Sequence, residues 1–147
     1  MLADRDLVLE AVRWRGQALE HAAEPLRGDR DLVLEAVQQD WQALKFATRG
    51  PRSDREVVLA AARQSGEALH FASEEFLQDR DLALEAVRLD GNMLKYLSDK
   101  LREDPEVALE AVKENWAALR HVGEKALGRQ GDSCSDVMSA AYASVIV

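Results

Sequence analysis

The stretch DRDLVLEAV occupies residues 4–12 and returns unchanged at residues 29–37. Outward from it the same layout continues. Asp4, Asp29, Asp54, Asp79 and Asp104 stand 25 residues apart without insertion. They open five segments, 4–28, 29–53, 54–78, 79–103 and 104–128. The sixth place of every segment is Leu (Leu9, Leu34, Leu59, Leu84, Leu109) and the eighth is Ala (Ala11, Ala36, Ala61, Ala86, Ala111). The sixteenth is again Leu (Leu19, Leu44, Leu69, Leu94, Leu119). Four identities held through five copies mark an internal repeat, and a short fixed period marks an array of supersecondary units.

Each repeat reads as two helices. The opening Asp precedes an apolar-periodic run, where its carboxylate accepts from free backbone N–H groups. The third place is always acidic (Asp6, Asp31, Glu56, Asp81, Glu106) and suits the positive end of a helix dipole. Pro105 stands at the first helical position of the last repeat, where a missing N–H is harmless. Apolar places of this first helix spread over about 200°, wider than the stripe of a surface helix, so it packs on two sides. Its polar side carries Glu and a cation three residues apart: Glu10–Arg13, Glu85–Arg88 and Glu110–Lys113. The twelfth place reads Arg15, Asp40, Ser65, Asp90, Asn115, and four of these five are capping residues, so a second helix starts there. Gly16, Gly66 and Gly91 follow in three repeats and Trp41 and Trp116 in two, which argues against a left-handed glycine at the turn. A ring holds the eighteenth place throughout (His21, Phe46, Phe71, Tyr96, His121) and is expected to pack. Pro25, Gly50 and Pro51 are placed in the connections, where helix breakers belong.

A helix-turn-helix of this length cannot bury its faces alone, so the repeats must stack. The expected fold is all-α: an α-solenoid of five 25-residue repeats over residues 1–128, of open handedness. The layout D-R-(D/E)-(L/V)-x-L-E-A-V, followed by G/W-x-A-L-x-(aromatic or His)-A-S-E-E-L, resembles the uncharacterised family of domain of unknown function 4116. It is clearest in DREVVLAAARQSGEALHFASEEFLQ, Asp54 to Gln78, and covers residues 4–128. Pro51 departs from the usual Leu, and Trp41 and Trp116 from Gly. The resemblance implies a helical repeat array and no particular activity.

Composition bounds the function. Apolar residues are 47 % and charged residues 31 % of 147, as in a globular chain, and the formal charge is −8. Nucleic-acid binding needs a basic face, so an acidic chain is not expected to bind DNA or RNA. Docking on an anionic membrane is disfavoured for the same reason. One cysteine, Cys134, rules out an internal disulfide and a cysteine-based zinc site. Asp4, Arg5 and Asp6 interrupt any signal-like apolar run, so the expected compartment is cytoplasmic. Residues 129–147 leave the repeat and are expected to be a disordered tail or a short helix; Val145-Ile146-Val147 offers an apolar chain end. Repeat one starts close to Met1 without a polar capping repeat, which suggests a longer parent or a degraded gene.

No catalytic set is legible. His21 and His121 share one place four repeats apart, and His70 lies on an outer face. The carboxylates recur with the repeat, as caps and solvated faces. Arg27-Gly28-Asp29 spells an integrin-type tripeptide, but its Asp is a cap. Nucleotide-loop and zinc-protease motifs are missing. The expectation is a non-catalytic scaffold for a protein or peptide partner, with no cofactor and no metal. The alternatives are a spacer in a larger protein and, less favoured, an enzyme. What varies between repeats is the surface. The eleventh place reads Trp14, Gln39, Gln64, Leu89, Glu114 and the seventeenth Glu20, Lys45, His70, Lys95, Arg120. Trp14, Leu89, Lys45, His70, Lys95 and Arg120 are therefore the candidate partner-binding residues.

Overall fold

The computed structural model describes residues 3–123. The tail 129–147, with Cys134, and the last residues of repeat five lie outside the described residues. The chain divides into two compact units, Met1–Phe76 and Leu77–Val147. Among the described residues every regular element is helical.

The first unit runs α1 (Arg5–Trp14), η1 (Gly16–His21), α2 (Glu24–Arg27), α3 (Arg30–Gln39), η2 (Trp41–Phe46), α4 (Arg49–Ser53), α5 (Arg55–Gln64) and η3 (Gly66–Phe71), and enters α6 (Glu74–Gln78). Here α denotes an α-helix and η a 3₁₀-helix. The second unit holds α7 (Arg80–Leu89), η4 (Gly91–Tyr96), α8 (Asp99–Arg102), α9 (Pro105–Glu114) and η5 (Trp116–His121). The all-α repeat fold expected from the period is thus present. One repeat nevertheless holds three helical segments where two were expected.

The opening Asp caps its ten-residue helix in every repeat. Asp4 Oδ1 accepts from the amides of Asp6 and Leu7, and Asp54, Asp79 and Asp104 do the same one period on. Asp29 accepts from Leu32. Asp40, Ser65, Asp90 and Asn115 cap the second segment, accepting from Gln42, Glu67, Asn92 and Ala117. That segment is a tight 3₁₀ turn and not an α-helix, with three residues per turn. Places 16 and 19 then fall on one side, and Leu44 and Ala47 are both buried there. The third segment occupies what the sequence suggests is a connection. Pro51 lies within the first turn of α4, where its missing N–H removes no helical bond. The twenty-third place is inward: Pro51, Phe76 and Leu101 are buried.

Within each unit successive repeats stack, α1 on α3, α3 on α5 and α7 on α9, with η1 on η2, η2 on η3 and η4 on η5. The core is Val, Leu and Ala from the long helices and the 3₁₀ turns, and no polar or charged residue among those described is buried. In the second unit it centres on Leu84, Val87, Leu94, Leu97, Leu101, Val107 and Val112.

Glycine at the thirteenth place serves close approach, not a left-handed turn. A Cβ on Gly16 would collide with the carbonyl oxygen of Ala36 in the next repeat, and one on Gly91 with that of Ala111. Repeat two has Trp41 at this place and a different joint. Gln64 reaches back, donates from Nε2 to the carbonyl of Val37 at 2.6 Å, and accepts from the Trp41 amide at 3.1 Å. The Trp41 ring stacks on Phe71 at 6.1 Å.

Two stability contrasts follow from this packing. Leu69 is fully buried and Glu67 exposed, so Leu69→Ala should cost about 2–5 kcal/mol and Glu67→Ala less than about 0.5 kcal/mol in chemical denaturation. Gly16→Ala should cost about 1–3 kcal/mol as overpacking against backbone. Gly50, with nothing within 4 Å of a built Cβ, should accept alanine without loss. Equal midpoints for the two glycine variants would remove close approach as the reason for Gly16.

Candidate functional site

Asp29, Asp54 and Asp104 each do two jobs. In each, Oδ1 caps its own helix, and Oδ2 accepts the guanidinium Nε of the preceding repeat's Arg. The distances are 2.8 Å for Arg5–Asp29, 2.9 Å for Arg30–Asp54 and 2.8 Å for Arg80–Asp104. Arg30 also pairs with Glu56, and Arg80 with Glu106, so the acidic third place serves the joint as well as the helix dipole. A second arginine, at place 24, reaches the end of the next 3₁₀ turn: Arg52 Nε donates to the Phe71 carbonyl and Arg102 Nε to that of His121, the latter at 2.7 Å. Backbone bonds run beside it, from the Ser73 amide to Arg52 at 3.0 Å and from the Gly123 amide to Arg102 at 2.8 Å.

These arginines were not singled out in the sequence. Their signal was recurrence, Arg5, Arg30, Arg55 and Arg80 at one place and Arg27, Arg52 and Arg102 at another. The Glu–cation pairs expected within helices are partly redirected. Glu10–Arg13 and Glu110–Lys113 form at 3.4 Å each, but Arg13 also reaches Glu35 at 3.5 Å and Arg88 reaches Glu110 at 3.1 Å in the following repeat.

Protonation follows the joints. The Arg5 guanidinium holds the Asp29 carboxyl below its ordinary range, against the opposing effect of burial. At Asp104 burial pushes upward, yet Arg80 and the amides of Val107 and Glu106 together outweigh it and the carboxyl is lowered. Arg88 and Lys113 lower Glu110. Burial lowers His121, and the charges of Arg120, Lys95 and Arg102 add to that.

The candidate partner-binding residues fall on long helices and on 3₁₀ turns. Trp14 closes α1 and is 89 % exposed, and Leu89 closes α7 at 42 %. Trp14 does not fold over the open end of its repeat. Lys45 and His70 sit exposed on the neighbouring turns η2 and η3 of the first unit. Lys95 and Arg120 sit likewise on η4 and η5 of the second. The ammonium of Lys45 lies 4.7 Å over the Phe46 ring and that of Lys95 4.8 Å over Tyr96, so each cation is held beside an aromatic face. The rings of place 18 are half-buried from repeat two onward, but His21 is exposed, contrary to the expected packing. Phe71 has Trp41 of the preceding repeat to stack on, and His21 has no described repeat before it.

A hollow of about 460 Å³ opens in the first unit beside Arg49, Arg52, Ala72, Ser73 and Glu74. Its polar groups serve the fold. Arg52 holds the Phe71 carbonyl, Arg49 pairs with Glu75, and Ser73 Oγ accepts from the Phe76 amide at 3.3 Å and lies 2.8 Å from Ser53 Oγ. Nucleophile, base and orienting group are not brought together there. Among the described residues no group of three or more His, Cys, Asp or Glu is placed to hold a metal ion. No described helix is long and apolar enough to cross a membrane.

The Asp29 joint sets an acid response. A carboxyl lowered on folding binds its proton less readily in the folded state. Its stabilisation is therefore complete above the unfolded value of about 3.9 and drains as pH falls through the lower folded value. Asn retains capping ability, so Asp29→Asn should show a shallower acid loss than the parent below about pH 4. Parallel stability–pH curves for the two proteins would exclude this pair as the source.

No curated protein and no solved structure matches the chain. A family model matches residues 4–49, 52–77 and 79–125, almost the whole repeat region, in segments that follow the same period. The chain therefore belongs to the family described as domain of unknown function (DUF4116).

Proposed function

We propose that this protein is a non-catalytic scaffold that binds a protein or peptide partner in the cytoplasm. The observation that carries this reading is Trp14, 89 % exposed where most of the other described apolar side chains are wholly or partly buried. Tryptophan is enriched at interface hot spots, where a large rigid surface binds with little entropy loss. The 3₁₀ turns support the reading with a second kind of surface. Their exposed seventeenth place changes from Glu20 through Lys45 to His70 in one unit and from Lys95 to Arg120 in the other, while the scaffold beneath stays constant. Lys45, Lys95 and Arg120 favour an acidic segment on the partner. A single cysteine fits a reducing compartment. A spacer role is favoured by one observation only, the uncovered outer face of α1.

Quantitative affinity capture from the source lysate tests the reading. The parent should enrich a partner that Trp14→Ala retains at least about 30-fold more weakly, the size of a hot-spot loss of ~2 kcal/mol. Capture through Lys45, Lys95 and Arg120 should weaken with added salt. No enrichment above background, or equal enrichment by the Trp14 variant, counts against it.

A further inference from the structure

Places 4 and 8 of the long helices look toward the preceding repeat, and place 11 lies at the edge of that face. At the first two of these, α3 buries Leu32 and Ala36, α5 buries Val57 and Ala61, and α9 buries Val107 and Ala111, all to 0 % exposure. At the edge, Gln64 crosses to the backbone of repeat two, while Gln39, Leu89 and Glu114 are exposed. On α1 the same places hold Leu7, Ala11 and Trp14. Leu7 is 54 % and Trp14 89 % exposed, and Ala11 is partly exposed. The polar half of the joint is open too. Asp4 Oδ1 takes the amides of Asp6 and Leu7, as a cap should. Among the described residues, its Oδ2 receives no counterpart of the arginine bonded to Asp29, Asp54 and Asp104. Asp6 stands where Glu56 and Glu106 take the same arginines.

We propose that this face of α1 is a docking joint for the trailing edge of another repeat of this family, carried by a partner protein. The internal joints define what such an edge must bring. It needs an arginine in the first turn of its long helix, to bridge Asp4 and Asp6. Because Trp14 stands where Gln64 closes the glycine-free joint, it needs a glycine at the start of its 3₁₀ turn, to approach the Ala11 carbonyl as Gly16 approaches that of Ala36. It needs apolar side chains over Leu7 and Trp14. Repeat five has Pro105 and Trp116 at the two joint places, so the chain's own last repeat brings neither and a second copy stacked head to tail is disfavoured. The inference rests on the partner-binding reading and names the partner's edge.

The test supplies that edge by linkage. A copy of residues 4–28, which carries Arg5 and Gly16, is inserted in frame before Asp4 of the full chain, preserving the 25-residue period. Linkage removes the cost of association, so the outcome reports on the face itself. Amide exchange across α1 should slow at least about tenfold, and the denaturation midpoint should rise. An inserted copy bearing Arg5→Glu and Gly16→Leu should give neither effect. In the original repeat, Asp4→Asn retains a capping side chain. It should leave exchange in the unextended chain unchanged while reducing the protection conferred by the inserted repeat. Unchanged α1 exchange with the intact copy, or equal protection by the altered copy, overturns the proposal. Failure here with Trp14-dependent capture intact refutes the repeat edge as the occupant and leaves partner binding standing. Loss of that capture with α1 protected does the reverse.

Discussion

Everything in each stack depends on a carboxylate that belongs to two repeats at once. Asp29, Asp54 and Asp104 each close their own helix with one oxygen and hold the arginine of the repeat before with the other. A helix end has unsatisfied N–H groups wherever it occurs, so a cap is a local necessity. Here the same side chain also fixes the register between neighbours. One residue thus couples helix capping to the register of stacking, and a 25-residue segment with too little core of its own becomes stable through its neighbour.

The apolar part of the joint obeys a stricter rule than the polar part. Where Gly16 or Gly91 starts the 3₁₀ turn, the backbones approach until a methyl group would strike a carbonyl. Where Trp41 takes that place, Gln64 bonds the exposed backbone groups, and the ring finds Phe71. Sequence variation at one place is thus answered by variation in the next repeat, 23 residues on. Proteins of this architecture tolerate such exchanges because each repeat answers only to its neighbours.

The uncovered face of α1 gives a physical meaning to residues that otherwise look irregular. Leu7 has the same type and place as Leu32, yet one is half exposed and the other buried. The difference lies in what stands before the helix, not in the helix. Trp14 stands at the place from which Gln64 reaches the backbone of the preceding repeat. An exposed aromatic at such a place adds apolar area to a surface already shaped for stacking.

The sequence by itself determined the period, the caps and the inward faces, because these are local: they depend on torsion preference and on side-chain spacing within ten residues. Asp40 and Ser65 announced the second segment, and Leu44 and Leu69 its buried side, without any knowledge of the fold. The third helix was misread because Pro51 and Gly50 are breakers in isolation, although a proline in the first turn of a short helix loses nothing. Only the tertiary structure decided that the second segment winds as a 3₁₀ turn, that Arg52 and Arg102 reach carbonyls 19 residues away, and that glycine at place 13 marks close approach. Those features arise between repeats, where a side chain's partner is set by how two helices have already packed. Whether Trp14 is covered or bare is of the same kind, since identical helices become core or surface according to the neighbour they meet.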